Sequence, residues 1–197
     1  MSTVAAKLIV ISGPSGVGKS TVVRQLLEQC PEPIELSVSA TTRSPRPGEI
    51  DGVNYRFLTP EQFQDRRQAG DFLECAEVFG RGDWYGTLRQ PVQQALASGK
   101  HIVLEIDVAG AAMVMEQFPQ ALTIFIHPGS LEVLEQRLRG RQTEDEAAIQ
   151  RRLEVARQEL EFSDRYQHIV VNDEVDDTVH LICQWIIESG EEECTKS

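Results

Sequence analysis

Residues 8–20 read Leu8-Ile9-Val10-Ile11-Ser12-Gly13-Pro14-Ser15-Gly16-Val17-Gly18-Lys19-Ser20, an apolar run that passes into the pattern G-x-x-x-x-G-K-[ST]. The run before Gly13 is strand-sized and rich in Ile and Val. After Ser20, the residues Val22, Val23, Leu26 and Leu27 fall at i, i+1, i+4 and i+5. They form one apolar face of a helix that must stop before Pro31 and Pro33. Strand, Gly-rich turn and helix in that order are the context in which this pattern binds phosphate. The glycines let backbone N–H groups turn inward around phosphate oxygens, and the helix N-terminus adds its dipole. Lys19 can then reach the β- and γ-phosphates of a nucleoside triphosphate, while the Ser20 hydroxyl can ligate Mg²⁺.

Three further apolar segments, Ile102 to Ile106, Leu122 to His127 and Ile169 to Asn172, have the look of buried parallel strands. Helix-like stretches lie between them, which predicts a doubly wound α/β core. Thr59-Pro60-Glu61-Gln62 combines an N-cap, Pro at N1 and a capping-box Gln. Thr143 with Glu146 predicts a second capping box, opening a helix to about Leu160, and Ser130 caps another that runs to about Arg139. Residues 38–90 break the α/β rhythm: they are rich in Gly, Pro, Thr, Tyr and Arg, with Asp51-Gly52 as a turn signal. They read as an inserted, mostly β substrate module. The polar end, Glu191 to Ser197, reads as a frayed tail.

Composition narrows the partners. The 197 residues carry 19 Lys and Arg against 31 Asp and Glu, a net charge of −12, which disfavours nucleic acid and anionic membrane. No apolar run is long enough to span a bilayer, and the first residues lack a signal-peptide layout. The four cysteines, Cys30, Cys75, Cys183 and Cys194, contain no C-x-x-C pair. That argues against a zinc site and a disulfide framework, and for a cytoplasmic protein. Cys75 follows Glu74 on an expected strand, so the two side chains should face opposite ways.

A phosphate loop leaves several kinases and GTPases open. Asp107-Val108-Ala109-Gly110 fits the D-x-x-G of GTPases, but no lysine follows an Asn, so the Asn-Lys-x-Asp that reads guanine in that class is missing. The segment from Ser37 through Thr41-Thr42-Arg43-Ser44-Pro45-Arg46-Pro47-Gly48-Glu49, with Asp51-Gly52-Val53-Asn54-Tyr55, strongly resembles the GMP-binding module of guanylate kinases. The resemblance continues through Phe72-Leu73-Glu74, Tyr85-Gly86-Thr87, Glu105-Ile106-Asp107, Arg137 to Arg141 and Val171-Asn172-Asp173, in order and with matching spacing.

The resemblance implies an α/β fold: a P-loop three-layer core with a parallel sheet (1–37, 91–133, 158–197), a β-rich GMP-binding insert (38–90) and a helical lid (134–157). It implies a cytoplasmic phosphotransferase with Mg²⁺ as cofactor and ATP and GMP as partners. ATP would be held by Gly13, Pro14, Ser15, Gly16, Val17, Gly18, Lys19, Ser20 and Thr21, with Asn172 bordering its base. Arg43, Arg46, Tyr55 and Tyr85 would clamp the GMP phosphate, while Ser39, Glu74 and Thr87 read guanine. Asp107 would lie near substrate and metal, with Ser20 and either Glu105 or Asp107 as metal ligands. Lys19, Arg137, Arg141 and Arg152 would be the catalytic cations. Glu105 stands where many members have Asp, and Thr87 where many have Ser; both keep the functional group.

The chemistry of the base supports Glu74 on its own terms. Guanine presents two donors, N1–H and the 2-amino group, along one edge, and an ionised carboxylate offers two coplanar acceptors. Adenine would set a lone pair against that carboxylate in a desolvated pocket. Two other outcomes stay open at this point: a peptide-binding module built on the same fold, and a kinase of a phosphorylated sugar.

Overall fold

The structure is a computed structural model that describes residues 6–77, 82–140 and 145–194. In chain order the first elements are β1 (Leu8–Ser12), α1 (Lys19–Gln29), β2 (Ile34–Leu36), β3 (Ala40–Thr41), β4 (Arg56–Phe57) and α2 (Pro60–Gln68). Next come β5 (Phe72–Glu77), β6 (Trp84–Leu88), α3 (Arg89–Ala97), β7 (His101–Glu105), α4 (Val108–Gln117) and β8 (Leu122–His127). The last are α5 (Leu131–Gly140), α6 (Glu146–Leu160), β9 (His168–Val171) and α7 (Val175–Cys194).

The apolar run that opens the chain becomes the centre of the fold. β1 is buried at every residue and is the middle strand of a parallel sheet ordered β2-β7-β1-β8-β9. Ile9 sits in register with Val103 on one side and Leu122 on the other. Because strand side chains alternate, β1 feeds two cores. Leu8 and Val10 pack with Val92 of α3 and with Val108, Ala111 and Val114 of α4. Ile9 and Ile11 pack with Val22, Val23 and Leu26 of α1 and with Val179, Ile182 and Ile186 of α7. Helices on both faces of a parallel sheet make the three-layer α/β core that the apolar runs predict. In such sheets ligands collect at the carboxyl ends of the strands, where Gly13 leaves β1 and Asp107 follows β7.

A second, mixed sheet ordered β4-β3-β6-β5 lies between residues 40 and 88, the stretch where the α/β rhythm breaks. It has its own small core, in which the rings of Phe63 and Phe72 stack at 4.5 Å beside Ala40 and Leu88. Cys75 packs on this side, facing away from Glu74 as strand alternation requires. Helices α5 and α6 pair through Leu134, Leu138, Ile149, Leu153 and Ala156.

Three details depart from the sequence reading. β2 is a fifth parallel strand, three half-buried or exposed residues directly after Pro33, too short to give a periodic signal. The cap of α6 is Asp145, whose carboxylate accepts the Ala148 N–H at 2.7 Å; Thr143 lies outside the described residues. The cysteines correct the expectation that no disulfide forms: Cys30, at the end of α1, is bonded to Cys183 of α7. Their Cα atoms are 5.6 Å apart across a sequence separation of 153, a pairing produced by α1 and α7 packing on the same sheet face. Cross-linking so distant a pair removes much freedom from the unfolded chain. Cys183→Ser should therefore lower the unfolding free energy by about 2–4 kcal/mol in oxidising buffer, and by little in the presence of reductant. Equal denaturant midpoints for wild type and variant in both buffers would show that the bond contributes nothing.

Candidate active site

The loop from Gly13 to Gly18 is shaped by what lies behind it. Gly13 has φ +142°, and a Cβ there would stand 2.3 Å from the Ile126 carbonyl oxygen of β8. Gly18 has φ +106°, and a Cβ there would come within 2.6 Å of the Asn172 side-chain nitrogen. Only glycine fits both the dihedral and the space. The Val17 carbonyl, between them, accepts from Asn172 Nδ2 at 2.8 Å and from Arg137 Nη1 at 3.1 Å. Arg137 Nη2 donates to the Asn172 carbonyl at 2.6 Å, and the Thr178 hydroxyl donates to Asn172 Oδ1 at 3.2 Å. The loop is thus braced from its far side by β9, α5 and α7.

On the cleft side, Lys19 Nζ donates to the Gly13 and Pro14 carbonyls at 2.5 and 3.1 Å. Burial pulls its pKa down, opposed by the nearby carboxylates of Glu159, Glu105 and Asp107. The Ser20 hydroxyl donates to Glu105 Oε1 at 2.5 Å, joining the first turn of α1 to the end of β7. Asp107 caps α4 by accepting the Gly110 N–H at 2.7 Å. Arg152 of α6 donates to the Ser15 hydroxyl at 3.1 Å. Glu159, near the end of α6, faces Lys19 and the Ser15 N–H; burial pushes its carboxyl up to about 7, and Lys19 opposes the rise. One of its oxygens is buried with no hydrogen-bond partner.

Across the cleft, the second sheet presents a clamp and a carboxylate. Arg43 donates to the Tyr85 hydroxyl at 3.1 Å, the Ser44 carbonyl at 2.7 Å and Glu49 at 2.8 Å. Its guanidinium lies 5.4 Å from the Tyr55 ring centre, and Tyr55 and Tyr85 meet edge to face at 5.8 Å. Glu49 also accepts the Arg46 N–H at 2.6 Å, so one carboxylate sets both halves of the Arg43–Arg46 turn. Glu74 of β5 is only 7% exposed, yet it borders the cleft. Its Oε1 accepts the hydroxyl of Thr87, its partner on β6, at 2.7 Å. Burial pushes its pKa up to about 7, the Thr87 hydrogen bond opposes the rise, and the Asp107 charge adds to it.

One cleft of about 720 Å³ brings the two sides together. From the expected ATP set it is lined by Gly13, Ser15, Gly16, Gly18, Lys19, Ser20 and Thr21. From the expected GMP set it is lined by Ser39, Arg43, Arg46, Tyr55, Glu74, Tyr85 and Asp107. Glu105 borders it as well. Pro14, Val17, Thr87, Asn172, Arg137 and Arg152 stand behind or beside the wall, where each but Val17 and Pro14 donates through its side chain to a wall residue or to the loop. Arg141 lies outside the described residues. Glu49 and Glu159 also line the cleft without having been singled out in the sequence. Glu49 had a local signal, three residues after Arg46; Glu159 had none, because it reaches the loop only through the packing of α6. For a cation, Ser20 and Glu105 supply two adjacent hard oxygen donors. That small protein share suits Mg²⁺, which keeps waters and substrate phosphates as its other ligands. Among the described residues no three His, Cys, Asp or Glu converge as a metal cluster, and no helix is long and apolar enough to cross a membrane.

A glycine-braced phosphate loop, an acidic strand end beside it and an Arg–Tyr cluster across one cleft are the arrangement of a P-loop phosphotransferase. The comparisons agree. The guanylate kinase family model matches residues 5–189. A guanylate kinase of Rhodopirellula baltica is 52% identical over 92% of this chain and 88% of its own length. One from Synechocystis is 50% identical over 98% and 97%. The crystal structure of a guanylate kinase from Anaplasma phagocytophilum superposes with a TM-score of 0.78 at 31% identity, covering 95% of this chain and 87% of that one. The chain belongs to the guanylate kinase family.

The buried carboxylate has a thermodynamic consequence. With its pKa raised from 4.5 to about 7, folded Glu74 holds its proton where the unfolded chain has lost it. Stability therefore falls as pH rises through that window, by at most about 3 kcal/mol from this one group. Glu74→Gln should flatten the fall and unfold at a higher temperature than wild type at pH 8, with the difference vanishing near pH 4.5. Thermal melts across pH 4.5–8 check this, and a variant less stable than wild type at pH 8 would contradict it.

Proposed function

We propose that this chain transfers the γ-phosphoryl group of Mg·ATP to GMP, giving ADP and GDP, in the cytoplasm, where both nucleotides are at hand. The observation that carries the reading is Glu74: a carboxylate 7% exposed, oriented by Thr87 and facing the same cleft as the phosphate loop. A desolvated acceptor pair is selective for a base edge with two donors, because any other edge leaves it unpaired.

The remaining roles follow from position. The cradle from Gly13 to Thr21 binds the ATP phosphates through backbone N–H groups, with Lys19 neutralising their charge. Arg43, Arg46, Tyr55 and Tyr85 hold the GMP phosphate, and Ser39 joins Glu74 and Thr87 at the base. Mg²⁺ would be held by Ser20 and Glu105, with Asp107 close by, and when bound it neutralises charge on the transferring group. Arg152, beside Ser15, supplies positive charge from α6. Arg137 and Asn172 act from behind by fixing the Val17 carbonyl, while Arg141 completes the lid cations. Residues 38–90 serve as the GMP-binding insert and 134–157 as the lid over a core of 1–37, 91–133 and 158–197. The protein positions two nucleotides in line and screens their charge, with no covalent intermediate.

The peptide-binding alternative gains nothing from a cleft that keeps Lys19 and the Ser20–Glu105 pair together. A gluconokinase from Sinorhizobium meliloti superposes with a TM-score of 0.55 at 19% identity, a likeness of fold alone. A coupled assay with GMP, AMP or no acceptor should give turnover with GMP only. Lys19→Ala should abolish turnover in a protein that still folds. Glu74→Gln should lower kcat/KM for GMP by about 100-fold, on the order of 3 kcal/mol, while KM for ATP changes by less than about 2-fold. Equal use of GMP by wild type and Glu74→Gln would refute the assignment of Glu74.

A further inference from the structure

Gly110 is a glycine without a backbone reason. It lies in the first turn of α4, its φ is not positive, and it is buried among residues that favour helix. Glycine there costs about 1 kcal/mol of helix propensity relative to alanine. Its N–H is used, by Asp107 Oδ1 at 2.7 Å, but any residue other than proline supplies that donor. What distinguishes the position is the space above its Cα. A Cβ at Gly110 would stand 2.9 Å from Glu74 Oε2 and 3.2 Å from Glu74 Cδ, with Asp107 Oδ1 next at 3.3 Å. Real Cβ atoms essentially never approach within 3.0 Å. The group that would have to move is therefore the carboxylate itself.

That carboxylate has little room elsewhere. Its other oxygen is held by Thr87 at 2.7 Å, and the side chain is 7% exposed between β6 and α4. Pushing Oε2 away from α4 turns the carboxylate plane about the Thr87 bond and takes it out of line with anything in the cleft. The backbone of α4 stays put, since a Cβ inside a helix meets no strain of its own. The penalty thus falls on the orientation of Glu74 and not on the fold.

We infer that Gly110 is a specificity-determining position of this enzyme: its missing side chain is the recess that lets Glu74 present both oxygens to the guanine edge. The proposal rests on Glu74 reading guanine, and it gives the Asp107-Val108-Ala109-Gly110 sequence a function outside the GTPase reading. Asp107 starts α4 by binding the Gly110 N–H, and Gly110 leaves the gap into which the carboxylate of the neighbouring sheet fits.

The test compares GMP with IMP, which lacks the 2-amino donor and so profits from only one of the two oxygens. Gly110→Ala should still fold cooperatively and keep its KM for ATP. Its KM for GMP should rise by about 10-fold or more, with a smaller change in kcat, and the GMP-over-IMP ratio of kcat/KM should fall by a similar factor. In a Glu74→Ala background the same Gly110→Ala change should alter KM for GMP by less than about 2-fold, because the group it displaces is gone. An unchanged GMP-over-IMP ratio in folded Gly110→Ala would overturn the proposal. So would a variant that fails to fold, or an equal loss in the Glu74→Ala background, either of which makes Gly110 a packing residue. If Glu74→Ala by itself leaves GMP use intact, it is the base-reading role of Glu74 that fails; if Glu74→Ala is impaired and Gly110→Ala is not, only the recess does.

Discussion

A backbone loop that turns its N–H groups toward phosphate leaves carbonyls that need donors of their own, and those facing away from the cleft must be satisfied from behind. In this protein the requirement converges on Val17, whose residue is fully buried and whose carbonyl accepts from both Asn172 and Arg137. These two donors arrive from the end of β9 and from α5, 155 and 120 residues downstream of Val17 respectively. The same point brings Gly13 against β8 and Gly18 against Asn172 closely enough that no other residue fits. The phosphate cradle is therefore not a local motif set on a scaffold: the outer strand of the sheet and α5 both close onto it. Arg137, which in the sequence has the look of one more phosphate-seeking cation, gives two of its donors to this bracing.

The opposite wall works by burial. Glu74 is held out of water with one hydroxyl partner, an arrangement that raises its pKa to about 7 and makes the ionised form costly in the absence of further donors. In the proposed reading of Glu74, that cost is the source of selectivity, since only a base edge that supplies donors relieves it. It also places stability and function in opposition at a single residue. Glu159, with its own carboxyl raised to about 7 and one oxygen unpartnered beside Lys19, is a second strained carboxylate in the same cleft. Glu159 has Lys19 to oppose its rise, whereas Glu74 has only hydrogen bonding from Thr87.

The sequence was most informative where chemistry is contiguous. The cradle from Gly13 to Ser20 is a single stretch whose spacing brings it forward, and the Arg43–Tyr55 segment is contiguous enough to carry the resemblance that implies its clamp residues. Strands β1, β7 and β8 are visible as runs of Ile and Val because both faces of a parallel sheet are buried there. β9, at the sheet edge, carries the same kind of run with Ile169 and Val171 about half exposed. What stayed hidden depends on packing between distant elements. β2 has three residues and no period; the Cys30–Cys183 bond joins positions 153 apart. Thr143 and Asp145 are both capping residue types two positions apart, and only geometry separates them. Glu159 belongs to no motif, and Gly110 only to a D-x-x-G match that does not point to its neighbour: one matters because α6 lies over the loop, the other because β5 lies over α4.

The claim that a buried, ionised Glu74 reads the guanine edge makes a commitment about protons that turnover does not see. In free enzyme near pH 7 the carboxyl is partly protonated, and pairing with two base donors requires the anion. Calorimetric titration with GMP at pH 6.5–7 in buffers of different ionisation enthalpy counts the protons exchanged, and Glu74→Gln subtracts those that belong to the nucleotide phosphate and its clamp. The account predicts that wild type releases about half a proton more than Glu74→Gln on binding GMP. Identical proton counts for the two proteins, with GMP bound to both, would contradict it.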